Sequence, residues 1–100
     1  MSLRWLNAAE KELEDAAQWC DAQVVGLSEQ LLVEVTAGVA LIERFPMAWH
    51  PVSKHIRSHR LNRFSYSLIY TTAITGQIIV VAFAHQQRKP SYWRSRIKTL

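Results

Sequence analysis

Cysteine occurs once in the 100 residues, at Cys20, so no internal disulfide can form, and a lone thiol fits a reducing compartment. Glycine and proline number three each, too few for a linker-rich or low-complexity chain. The longest apolar run, Ile78 to Ala84, falls far short of the roughly 20 residues that a membrane-spanning helix needs. No basic segment leads into an apolar stretch near the amino terminus, so no secretory signal is evident and the cytoplasm is the expected location. Acid is the most unevenly missing ingredient, because residues 51–100 contain none.

What remains is ordinary for a compact domain: 49% hydrophobic and 20% charged residues predict one unit over residues 1–100 with one continuous core. The net charge of +4 conceals a division. Residues 1–50 hold all eight acids against Arg4, Lys11 and Arg44, a net of −5. Residues 51–100 hold nine bases, a net of +9: Lys54, Arg57, Arg60, Arg63, Arg88, Lys89, Arg94, Arg96 and Lys98. A half without internal anions is expected to project a positive field that draws phosphates or acidic protein segments. A solvated basic face without a partner is the plainer reading.

Periodicity orders the chain. Ser2 to Leu6 reads as a short strand, and Asn7 with Glu10 offers a capping box for a helix over about residues 8–24. That helix carries Ala9, Leu13, Ala16, Cys20 and Val24 on its apolar face. Gly26 breaks it, and a second helix opens near Ser28, with Leu27, Leu31, Val35, Gly38, Leu41, Ile42 and Phe45 on one stripe, and stops before Pro46. Residues 46–52, with two prolines, read as a loop. The period then falls to two. Lys54 to Leu61 and Phe64 to Ala73 read as strands, Thr75-Gly76 as a turn, and Gln77 to His85 as a central strand apolar on both faces. Pro90 starts a last helical or irregular tail in which Trp93 and Ile97 can meet at i and i+4. The expected fold is α+β: a helical hairpin on a small, twisted, mostly antiparallel sheet in the order β-α-α-β-β-β, with a short carboxyl-terminal helix or tail.

Several residue types invite sharper chemistry. His55 and His59 would share a helix face, but on a strand they lie about 13 Å apart, so no metal site is expected. Cys20 falls on the core face of its helix and reads as a packing residue. His85, ending the central strand beside Arg88, reads equally as a binding group or as a cap on the strand end. Tyr92 is the better candidate for stacking on a ligand, and Trp93 for packing; Trp49, in the proline loop, reads as a lid on the helices.

The segments Arg63-Phe64-Ser65-Tyr66-Ser67-Leu68-Ile69-Tyr70 and Ile79 to Trp93, with the ending His85-x-x-Arg88-x-Pro90-x-Tyr92-Trp93, resemble the RelE/ParE superfamily of bacterial toxins, in particular its plasmid-stabilisation, ParE-like branch. Ala9, Leu13, Ala16 and Trp19 are similar to its usual opening helix, and the likeness covers essentially the whole chain. The resemblance implies a type II toxin–antitoxin module in which an acidic or amphipathic antitoxin segment binds the toxin, forming a hetero-oligomer. It implies one of two targets. ParE-like members bind DNA gyrase, and RelE-like members cut messenger RNA on the ribosome without a metal or cofactor. For the second, Arg60, Arg63, His85, Arg88 and Tyr92 would be the catalytic set. However, Ser67 stands where that branch usually has arginine, and serine supplies no fixed charge to a phosphate. For the first, target- or antitoxin-binding residues would be Lys54, Arg57, Arg60, Arg63, Arg88, Lys89, Tyr92, Arg94 and Arg96. The serine and the carboxyl-terminal pattern favour the gyrase-binding branch.

Overall fold

A computed structural model describes residues 2–98 and 100. Its elements run β1 (Leu3–Trp5), α1 (Asn7–Gln23), α2 (Leu27–Arg44), β2 (His50–Ser53), β3 (Ile56–Arg60), β4 (Tyr66–Thr72), β5 (Ile78–His85) and α3 (Arg94–Ile97). The five strands form one sheet in the order β1-β5-β4-β3-β2. Only the β1–β5 pairing is parallel. This is the helical hairpin on a mostly antiparallel sheet that the periodicity implies, with one strand added. His50 to Ser53, whose first three residues read as loop in the sequence, pairs with β3 as an edge strand. Proline is tolerated there because an edge strand leaves one side of its backbone unpaired.

The first turn of α1 corrects another expectation. Asn7 lies inside the helix, Leu6 precedes it, and no side chain caps the start. The cause is the short join: Leu6 still donates its N–H to the Val80 carbonyl, while its own carbonyl already accepts from Ala9 and Glu10. A residue that ends a strand ladder and begins a helix leaves no room for a capping side chain. At α2 the cap comes from the preceding helix. Asp21 accepts from the Ser28 N–H at 2.9 Å and the Ser28 hydroxyl at 2.7 Å, and these bonds hold its carboxyl below the usual range. Gly26 permits the reversal with φ 85°, a conformation that side chains resist.

Each face of the sheet has its own core. On the helical side Leu68 and Tyr70 of β4 and Ile78, Val80 and Phe83 of β5 bury themselves against Ala9, Ala16 and Cys20 of α1 and Leu31, Val35 and Ile42 of α2. On the far side Ile56, Ile69, Val81, Ala82 and Ala84 are covered by Trp93, with Tyr92 and Ile97 alongside. The tail is therefore the second layer over β5. A register shift opposite Ile69 and Tyr70 makes this possible: Tyr70 faces Val80, Ile69 faces Ala82, and Val81 is the extra residue. The bulge moves the core-facing positions from even to odd numbers, which puts Phe83 beneath the helices with Val80.

The stripe on α2 is only partly buried. Leu31, Val35, Gly38 and Ile42 face the core, whereas Leu41 and Phe45 remain 40% and 49% exposed, and Val24 at the end of α1 is 59% exposed. The helix crosses the sheet at Gly38, where a Cβ would stand 3.0 Å from His59 Cδ2 and 3.2 Å from Leu68 Cδ1. His59 cannot swing away freely, since its ring meets Trp49 edge-on at 4.4 Å. Gly38→Val should therefore destabilise the fold by about 1–3 kcal/mol through overpacking. In urea unfolding, pairing it with His59→Ala should recover part of that loss; strict additivity of the two changes would contradict the close approach.

Candidate functional site: a basic groove on the far face

The face of the sheet opposite the helices is only half covered. Beyond Trp93 it opens into a groove of about 670 Å³. Its floor is Ser58, Ser67, Ile69 and Ala84, and its walls carry Arg60, Arg88, Lys89 and Tyr92. Strand register explains the floor, because Ser58 pairs with Ile69, and Arg60 with Ser67, which in turn pairs with Ala84. Small side chains in adjacent strands leave the hollow, and no carboxylate lines it among the described residues.

Arg60 therefore stands directly across from Ser67. Its Nη2 donates to Gln86 Oε1 at 2.7 Å, which holds the guanidinium over the groove end of β5. Arg88 lies over the Tyr92 ring at 4.0 Å, a cation–π stack. His85 sits on the rim; its Nδ1 accepts the Gln87 N–H at 3.1 Å and its ring meets Tyr66 edge-on. The strand-capping role is thus the one its contacts display. The chain turns back at Ser91, whose φ of 69° is the one positive value at a non-glycine among the described residues.

The remaining cations of the candidate set lie elsewhere. Arg63 turns toward α2, donating from Nη2 to Gln30 Oε1 at 2.7 Å. The Glu34 carboxylate accepts the backbone N–H groups of Asn62 and Arg63, which fixes the β3–β4 loop against that helix. Arg57 points to the helical side and donates to the Trp49 carbonyl at 2.7 Å. Lys54 is exposed in the β2–β3 turn, and Arg94 lies outside on Trp93. Arg96 forms an ion pair with Glu12 at 2.8 Å. The cations of the second half therefore do not all face one surface, and Arg96 is paired with a carboxylate from α1. Arg60, His85, Arg88, Lys89 and Tyr92 are brought together; Lys54, Arg57, Arg63, Arg94 and Arg96 are not.

Glu12 is a residue the sequence did not single out. It accepts from the Tyr92 hydroxyl at 2.5 Å, and burial together with that bond drives the Tyr92 phenol far above its ordinary range. On the helical side, His59 is packed under Trp49 with its Nδ1 unpartnered, and burial lowers its pKa. Trp49 is indeed packed against the core as a lid. No group of three or more His, Cys, Asp or Glu among the described residues could hold a metal ion. No helix among them is long and apolar enough to cross a membrane.

A second surface is one that the sequence pattern did not set apart. Val33, Ala37 and Leu41 recur every four residues along the outside of α2, with Phe45 following at its carboxyl-terminal cap, and Val33 is 71% exposed. Two adjoining hollows of about 450 and 440 Å³ run beside this stripe and share Glu34, Ala37 and Asn62. The signal was present as apolar residues on more than one side of the helix; periodicity places Leu41 and Phe45 on the core stripe and leaves Val33 and Ala37 unassigned.

Residues 3–90 match the sequence profile of the family described as ParE toxin of type II toxin-antitoxin system, parDE. Among curated proteins none matches the sequence significantly. Of solved structures, a chain of the chromosomal ParDE TA system from P. aeruginosa is similar in fold, with a TM-score of 0.63 at 16% identity, covering 85% of this chain and 95% of that one.

All three tyrosines are held above the ordinary phenol range: Tyr66 by burial, Tyr70 by burial up to about 12, and Tyr92 by burial and Glu12. A raised pKa means stability that is complete below pH 10 and is lost as pH rises through the folded values. Spectrophotometric titration of the native protein should show no phenolate wave centred at 10, and stability should decline above that pH. A full one-tyrosine wave at 10 would contradict these environments.

Proposed function

The chain belongs to the ParE toxin family, and from that premise we propose that it is the toxin of a cytoplasmic module, silenced by a cognate antitoxin and arresting growth, once free, by binding DNA gyrase. The observation that carries this reading is the coexistence of two unlike open surfaces. The stripe on α2 is apolar, exposed and flanked by a hollow, which is the complement of one face of an amphipathic helix. The groove is basic and, among the described residues, free of carboxylates, which suits an anionic surface on a target or an acidic antitoxin segment. Antitoxin and toxin would then form a hetero-oligomer covering one surface or both, with no cofactor taking part.

A second reading, ribosome-dependent cleavage of messenger RNA, is favoured by one observation: Arg60, His85, Arg88 and Tyr92 border the same groove. Two others weigh against it. Arg63 is committed to α2, and the Tyr92 hydroxyl is committed to Glu12.

Purified toxin should inhibit gyrase-catalysed supercoiling at near-stoichiometric amounts while leaving ribosome-bound message intact; cleaved message with unaffected supercoiling would replace the first reading by the second. Changing both Val33 and Leu41 to Asp should weaken the antitoxin complex at least tenfold, as loss of central apolar contacts does, and leave growth arrest in place. Undiminished antitoxin binding by that variant would remove α2 from the interface.

A further inference from the structure

We infer that Glu12 is the positioning residue of the groove, holding Tyr92 and through it Arg88 in the wall by standing in for the strand that β5 lacks.

The reason lies in where β1 stops. Its pairing with β5 ends at Trp5 opposite Val80, and the last ladder bond runs from the Leu6 N–H to the Val80 carbonyl. β5 continues to His85, so past Val80 one of its edges has no strand beside it. Side chains fill the gap. Glu12 Oε1 accepts the Phe83 N–H at 3.1 Å, and Arg96 Nη1 donates to the Val81 carbonyl at 3.0 Å. The same Nη1 lies 2.8 Å from Glu12 Oε1. One acceptor and one donor, joined as an ion pair, thus meet the backbone groups that a longer β1 would have met.

The other carboxylate oxygen faces the groove wall. Glu12 Oε2 accepts the Tyr92 hydroxyl at 2.5 Å and Arg96 Nη2 at 3.3 Å. Tyr92 in turn presents its ring to Arg88 at 4.0 Å and to Arg96 at 5.2 Å. The Glu12 and Arg96 side chains retain only 16% and 22% exposure, so neither charge is well solvated and the pair is held in one geometry. The tail is tied to the sheet and α1 through this carboxylate and through the packing of Trp93, which sits one residue on. Without Glu12 the phenol loses its acceptor, and Arg88 loses its fixed platform.

The inference rests on the groove being a site for anions, and its test separates the two. Inorganic tripolyphosphate serves as the probe, with the full chain followed by NMR. In Glu12→Ala, exchange of the Phe83 amide should accelerate at least tenfold. The Arg88 methylenes should lose the ring-current shift that Tyr92 gives them, and probe affinity should fall about tenfold. Glu12→Gln keeps an acceptor for Phe83 and a partner for the phenol, so it should restore the amide protection and the ring-current shift and bind the probe within about threefold of the parent. Tyr92→Phe, which removes only the hydroxyl, should diminish the Arg88 shift while Phe83 stays protected, and it decides the matter if Glu12→Ala does not fold. An undisturbed Arg88 shift in Glu12→Ala, or in Tyr92→Phe, overturns the inference. Failure of the groove reading looks different: a variant with both Arg60 and Arg88 changed to Ala would bind tripolyphosphate as the parent does, and the Phe83 and Arg88 signals of the Glu12 variants would still decide whether Glu12 positions the wall.

Discussion

A parallel edge strand of three residues cannot cover a neighbour of eight, and most of the architecture follows from how that shortfall is met. An unpaired stretch of β5 in the middle of the molecule would expose backbone donors and acceptors where water is scarce, at a cost of about 1–3 kcal/mol for each group left unsatisfied. The Glu12–Arg96 pair takes them up. In doing so it binds the first helix to the last, so that residues 71 to 84 positions apart in the chain meet at one carboxylate. A hydrophobic pair of the same volume would pack there, but it would leave Phe83 and Val81 without partners. In this setting a part-buried ion pair offsets its desolvation, because each member also satisfies the backbone.

The division of charge along the sequence acquires a structural meaning from the same contacts. Three acids of the helical half are engaged by backbone N–H groups: Asp21 by Ser28, Glu34 by Asn62 and Arg63, and Glu12 by Phe83. Each fastens an element whose end would otherwise be loose. The cations of the second half then sort by reach. Those near α1 or α2, Arg96 and Arg63, are drawn to the helices, and those on the far face, Arg60, Arg88 and Lys89, are left around the groove. Net charge over a half-chain overstates the positive charge of any one face, because its cations are spread over both sides of the sheet and Arg96 is paired with Glu12.

The elements were legible where a period was long and uninterrupted: both helices, β4 and β5 fall within a few residues of their sequence boundaries. What was illegible has common causes. β2 is four residues with proline inside, and its strand character comes from pairing with β3 rather than from its own pattern. The Asn7 cap failed because the sheet claims Leu6 until the helix begins. The bulge at Val81 was hidden in a run that is apolar at every position, where no alternation exists to be interrupted. In the candidate site, Arg60, His85, Arg88, Lys89 and Tyr92 cluster as their positions near strand ends suggest, whereas Arg63 and Arg96 turn toward the helices, and no spacing in the sequence announces that. Glu12 was illegible for the same reason: its partners are distant in sequence and belong to the main chain of β5 or to the tail.

The state of the groove bears on what it can do. Metal-free cleavage of a phosphodiester needs a group to take the 2′-hydroxyl proton and another to protonate the leaving oxygen, each free to change its protonation. Here Tyr92, the aromatic hydroxyl nearest the cations, donates to a carboxylate and is held protonated far above neutral pH. His85 has its Nδ1 engaged by the Gln87 amide. Such fixed partners raise the value of a group as rigid scaffolding. Fixed cations over a floor of serine and alanine still attract an anionic surface and still orient it, because attraction and shape need no proton transfer. The bond to Glu12 that makes Tyr92 a poor acid is the same bond that holds it as a support for Arg88.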